Sequence, residues 1–88
     1  MIGYLEGNII SRGDRDVTLN VGGVGYRVNL AAETLRKFSI GEEAKIWTHL
    51  QQREETIELY GFLEKNELDL FETLIGVSGV GPRTALSI

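Results

Sequence analysis

The run Gly76-Val77-Ser78-Gly79-Val80-Gly81-Pro82-Arg83-Thr84-Ala85-Leu86 holds the residues of this 88-residue chain best placed to do chemistry. Gly79 and Gly81 flank Val80, and Pro82 follows where helices favour proline, in their first turn. Such glycines permit positive φ and let a ligand come close to the backbone. Their amides, with the positive end of a helix beginning at Pro82, would make a site for one anion. No side chain separates backbone from guest, so a nucleic-acid phosphate suits the site.

Two other phosphate-binding motifs fit these glycines poorly. Gly76 and Gly81 have the spacing of a nucleotide-binding P-loop, but Pro82 and Arg83 occupy its Lys and Ser/Thr positions. A P-loop also follows a strand, whereas the residues before Gly76 have helical spacing. In the dinucleotide fingerprint a third glycine is required where Thr84 stands. The pattern matches a helix-hairpin-helix element, in which paired helices present a turn to a phosphate. The plain alternative is a tight turn between packed helices, with Val80 a core residue.

Other reactive side chains are sparse. Glu54 and Glu55 are adjacent carboxylates, but neighbouring strand residues point to opposite sides and no third ligand is suitably spaced. On local residues alone, a solvated turn accounts for them better than a metal or acid–base site. His49 is the single histidine, and inside a strand-like run it reads as a packing or surface residue. No cofactor and no metal site is expected, and the chain has no cysteine, which fits a reducing cytoplasm.

Composition narrows the class further. With 42% hydrophobic and 25% charged residues, the chain has an ordinary soluble globular balance. No apolar run approaches a membrane span, so no membrane partner is expected. The net charge of −4 argues against an indiscriminate electrostatic nucleic-acid binder. Any DNA face must therefore be local.

The elements that would position these residues are legible from periodicity. Residues 1–10 alternate loosely, with Gly3, Leu5, Gly7 and Ile9 on one side. After a polar turn at 11–14, Val17, Leu19 and Val21 share a face, and Gly22-Gly23 predicts a two-residue hairpin turn. Val24, Tyr26, Val28 and Leu30 then form the inner face of a third strand. Leu35 and Phe38 suit a short helix, and Ala44, Ile46, Thr48 and Leu50 resume alternation with Trp47 opposite. Ile57, Leu59 and Gly61 alternate with Glu58, Tyr60 and Phe62 in a fifth strand. Three strands, a short helix and two strands are the order of an OB-fold barrel, whose closure also removes exposed edges.

Aromatics for base stacking on strands two and three are limited to Tyr26, which belongs with the core set, so the barrel is expected to act as a scaffold. Trp47, Tyr60 and Phe62 share the other face of the last strands and are expected to pack on the following helix or on another subunit. From Asn66, expected as N-cap, Leu68, Phe71 and Leu74/Ile75 make a helical stripe. The predicted fold is therefore mainly β, a five-stranded OB-fold barrel over 1–63. The start of a helical domain with one helix-hairpin-helix motif follows over 64–88. A last helix of under two turns predicts that the chain is a truncated part of a longer protein.

Four ordered motifs carry a resemblance that spans the whole chain. They are Met1-Ile2-Gly3-Tyr4-Leu5-Glu6-Gly7, Val21-Gly22-Gly23-Val24-Gly25-Tyr26, Arg53-Glu54-Glu55 running to Leu59-Tyr60-Gly61-Phe62, and Leu74-Ile75 through Ala85-Leu86. Together they resemble the N-terminal part of the RuvA family, the Holliday-junction-binding subunits of bacterial branch-migration complexes. The resemblance implies a cytoplasmic, non-catalytic DNA-binding subunit acting in recombination and repair. It implies homotetramers, sometimes paired as octamers, that hold four-way junction DNA open. It also implies the RuvB ATPase as partner through a C-terminal domain absent from this sequence, and the RuvC resolvase.

By position, Gly79, Val80, Gly81 and Arg83 match the family's phosphate-binding hairpin. Glu54 and Glu55 match its acidic pin. The alternative function class is a protein-interaction scaffold, an OB-fold oligomerisation module that does not bind DNA.

Overall fold

A computed structural model describes residues 2–77 and 79–87. Met1 and Ser78, which belong to the sequence motifs above, and Ile88 lie outside the described residues. The elements in chain order are β1 (Tyr4–Arg12), β2 (Asp16–Val21), β3 (Val24–Asn29), α1 (Ala32–Leu35), β4 (Glu43–Gln52), β5 (Ile57–Phe62), α2 (Lys65–Ile75) and α3 (Pro82–Ser87).

The five strands close into a barrel in the order β1-β2-β3-β5-β4, with β1 returning to β4. This is the mainly-β OB-fold barrel expected from the order of elements. β1–β2, β2–β3, β4–β5 and β1–β4 are antiparallel, while β3 and β5 pair in parallel through Val28↔Leu59 and Asn29↔Tyr60. The parallel seam is possible because α1 and β4 intervene and carry the chain back to the same end.

β1 serves two neighbours, and the register shift between Ile9 and Ser11 bends it from β4 towards β2. That bulge also lengthens β1 through Arg12, where the sequence suggested a turn from Ser11. The β2–β3 hairpin turns at Gly22 and Gly23, both at positive φ as a two-residue type I′ turn demands.

Alternation delivers one side of each strand to the interior. Leu5, Ile9, Val17, Leu19, Val28, Leu30, Ala44, Ile46 and Leu59 are buried there, and Leu35 and Phe38 of the α1 segment close one end. Thr48 is the buried polar residue of this set, and its hydroxyl donates to the Ile2 carbonyl at 2.7 Å. Val24 and Ile57, placed by alternation with inward-facing sets, are 52% and 65% exposed. Each is the first residue of its strand, beyond the reach of the closed interior.

A second cluster joins the helices to the outside of the barrel. Tyr60 and Phe62, on the outer face of β5, pack with Leu68, Phe71 and Ala85, and Trp47 lies partly buried beside them. Phe71 is the hub, with ring centroids 5.4 Å from Tyr60 and 5.0 Å from Phe62. The aromatic face therefore packs on the following helix, one of the two expected uses. The N-cap of α2 is Glu64, not Asn66. Glu67 Oε1 accepts the Glu64 amide at 3.1 Å, so a reciprocal carboxylate pair starts the helix two residues before the asparagine.

Candidate nucleic-acid interface

The connection from α2 to α3 is short and glycine-rich, and the structure resolves the parts of its glycines differently. Gly79 adopts φ +86°, a conformation strained for any side-chain-bearing residue. Gly81 does not share that conformation, so of these two glycines Gly79 alone uses the positive φ that both permit. Gly81 precedes Pro82, and a residue before proline is held in extended backbone open to most residue types. It also serves as the N-cap of α3, its carbonyl accepting the Ala85 amide at 3.0 Å. Glycine is tolerated at a cap, but Ser or Asp would cap as well or better. Neither local geometry nor packing requires glycine there, since a Cβ at Gly81 would meet nothing within 4 Å. What glycine uniquely provides is an uncovered backbone.

The neighbouring amides sort themselves accordingly. Val80 gives its amide to the Val77 carbonyl at 3.1 Å, which tightens the turn and commits that donor. Its side chain packs against the Tyr60–Phe71 cluster and anchors the turn to the barrel. Among the described residues, no acceptor takes the amides of Gly79 or Gly81. Pro82 is buried and, having no amide, opens the helix without an orphan donor. The turn thus holds Val80 down, with Gly79 exposed, Gly81 half-buried and both their amides without a partner among the described residues, an arrangement suited to an anion such as a phosphate.

Arg83 follows directly on α3. Its Nη2 lies 4.0 Å from Glu58 Oε2, an ion pair between α3 and the outer face of β5. Glu58 Oε1 also accepts the Tyr60 hydroxyl at 3.4 Å. Burial, with the Glu58 charge adding to it, pushes the Tyr60 phenol above its usual range and keeps it a neutral donor. Sequence periodicity could not reveal the Arg83–Glu58 contact, because the two residues belong to elements with different periods.

Glu54 and Glu55 occupy the tip of the β4–β5 hairpin, closed by the Arg53 amide donating to the Thr56 carbonyl at 2.8 Å. Both are exposed, as are Arg53 and Thr56. Among the described residues no ion pair neutralises either carboxylate. The tip and the glycine turn are therefore separate features. They are linked through Glu58 at the foot of the hairpin and Arg83 at the head of α3.

His49, on the outer face of β4, is part of the barrel–helix joint. Its Nδ1 lies 2.8 Å from Glu72 Oε2, its Nε2 lies 3.0 Å from Gln51 Oε1, and its ring meets Phe71 edge-on at 5.4 Å. Sequence reading expected a packing or surface residue and missed the Glu72 partner on α2. Among the described residues, no three His, Asp or Glu side chains are grouped to hold a metal ion. No helix among them is long and apolar enough to cross a membrane. The segment before Gly76 is the helix α2, as anticipated in setting a P-loop aside.

A closed OB-fold barrel carrying a helical hairpin on its outer face defines a class of small modular domains. Within that class, the RuvA N terminal domain family matches residues 1–61. A Halothermothrix orenii protein named Holliday junction branch migration complex subunit RuvA is 48% identical over 88 residues, which is 100% of this chain and 45% of that protein. Proteins of the same name from Thermobifida fusca and Thermodesulfovibrio yellowstonii are 43% and 40% identical over the whole chain, covering 44% and 46% of their own lengths. The chain belongs to the RuvA family, and it spans just under half the length of these relatives.

Proposed function

We propose that this chain is the junction-binding part of a branch-migration subunit. In this reading it grips four-way DNA as part of a homotetramer, or an octamer of two tetramers, and presents it to a RuvB-type ATPase. RuvC-type resolvase acts on the same junction. The protein serves in the bacterial cytoplasm as a non-catalytic subunit without a nucleotide site or cofactor of its own. Residues 1–63 act as the scaffold domain and residues 64–88 begin the helical one.

The observation that carries this proposal is the pair of unpartnered amides at Gly79 and Gly81, with open space where a side chain would stand, in a chain similar along its full length to junction branch-migration subunits. Gly79 and Gly81 offer amides to a duplex-arm phosphate, Val80 fixes the turn, and Arg83 adds a cation beside it. Such contacts hold DNA without reading its sequence.

Glu54 and Glu55 supply discrimination by repulsion. Around a four-fold axis, hairpin tips from four subunits would bring about eight carboxylates together. A linear duplex crossing that centre would lay phosphates beside them, whereas the arms of a junction leave radially. Each close carboxylate–phosphate pair costs on the order of 1 kcal/mol at a wet surface, less as salt rises. Summed over the ring, the penalty favours the junction.

The test is a gel-shift comparison of four-way junction and linear duplex, without nucleotide, using the protein at the full length of its relatives. Preference for the junction is the expected result. Absence of DNA binding would overturn it and leave the protein-interaction scaffold. ATP turnover by the purified protein would contradict the non-catalytic assignment.

A further inference from the structure

Between the outer face of β3 and the start of α3 lies a cleft of about 360 Å³ lined by Asp16, Arg27, Asn29, Ile57, Glu58 and Arg83. Its two guanidinium groups are in different situations. Arg83 lies beside Glu58, and Asn29 gives its side-chain amide to the Leu59 carbonyl at 3.1 Å. Arg27 is exposed, and among the described residues its side chain makes no ion pair or hydrogen bond. Asp16, across the β2–β3 pair from Asn29, and Glu58 bring the formal charge of the cleft to zero. The cleft is therefore no indiscriminate anion trap. Its distinguishing offer is one uncommitted planar fork, the geometry that binds a phosphate through two parallel hydrogen bonds.

The location gives this fork a partner. Ile57 and Glu58 follow the acidic tip in the chain, and Arg83 follows the glycine turn. The cleft thus occupies the interval between the two features assigned to DNA above. A duplex arm gripped at the turn and directed towards the tip would pass its backbone over this interval. We infer that Arg27 is a second phosphate contact for the duplex arm, supplied by the barrel instead of the hairpin. The inference rests on the junction-binding reading and extends it to a residue that the hairpin motif does not include. Alternation placed Arg27 outside the barrel, and the parallel β3–β5 seam and the docking of α3 set it in the same cleft as Arg83.

The experiment measures affinity of the full-length protein for a labelled four-way junction by fluorescence anisotropy across a salt series. Each phosphate neutralised contributes about 0.9 to the slope of log affinity against log salt. Arg27→Ala should shrink the slope by about 0.9 for every subunit whose Arg27 touches DNA, with an unchanged melting temperature. Arg27→Lys should retain the slope while losing part of the affinity, since the charge stays and the fork goes. Wild-type junction binding with an unaltered slope in Arg27→Ala would overturn the assignment and leave the hairpin reading intact. Failure of wild type to bind any junction would overturn both.

Discussion

A Cβ added at Gly61 would lie 2.5 Å from Val28 Cγ1, 2.6 Å from Ile46 Cγ2 and 2.8 Å from Leu30 Cδ2, whereas one added at Gly81 would meet nothing within 4 Å. The first glycine is a packing requirement. β5 crosses the closed interior so tightly that three buried side chains fill the space a methyl group would need. The second has open space where a side chain would stand, so packing makes no demand for glycine there. The barrel spends its glycine on its own core, and the hairpin keeps its glycine open to something else. Stability and binding should therefore be separable by substitution, and each variant below either breaks that separation or sharpens it.

The largest effect is expected at the joint between the regions. Phe71 is 1% exposed and touches Tyr60, Phe62 and His49 through its ring. Phe71→Ala should cost about 3–5 kcal/mol, the usual range for deleting a buried aromatic. The loss should fall on the attachment of α2 and α3. Hydrogen exchange should then show loss of protection in the helices while β1–β5 amides stay protected. Uniform loss throughout would mean that the barrel depends on the helices and that the two regions do not divide as described.

Gly61→Val comes next. Overpacking should destabilise by about 1–3 kcal/mol, read as a lower denaturation midpoint with an unchanged slope. A neutral result would show that the barrel interior yields more easily than its contacts imply.

The tip should affect binding alone. Glu54→Gln with Glu55→Gln should raise affinity for linear duplex more than for the junction, most clearly at low salt, and leave the melting temperature within about 0.5 kcal/mol equivalent. Equal junction-to-duplex ratios in wild type and variant across a salt series would reduce the tip to a solvated turn.

Much of the barrel was legible because burial on one side of a strand writes itself as alternation. Val17/Leu19 and Ala44/Ile46/Thr48 obey it, and the paired glycines at 22 and 23 name their turn type. Alternation says nothing about which strands become neighbours, so it left the parallel β3–β5 seam hidden, and with it the cleft that Arg27 and Arg83 both line. Strand-end residues such as Val24 and Ile57 follow the pattern in sequence yet lie past the edge of the interior. The helix start was misplaced because Asn66 is a good cap by type, while the Glu64–Glu67 pair fits the geometry better. At the glycine turn, sequence showed that backbone would be exposed. It could not show that only Gly79 takes positive φ, or that Val80 uses its amide inside the turn.

The central claim is that the backbone at Gly79 and Gly81 grips phosphate, and Gly81→Val tests it most directly. A Cβ at position 81 meets nothing within 4 Å and a β-branched residue suits the extended backbone before Pro82, so thermal stability and assembly should match wild type. Its side chain would cover the amides. Binding of the full-length variant to four-way junction and to linear duplex should weaken together, by about 1.5–3 kcal/mol for each charge-assisted bond lost. Undiminished junction affinity in a folded, correctly assembled Gly81→Val protein would contradict the account.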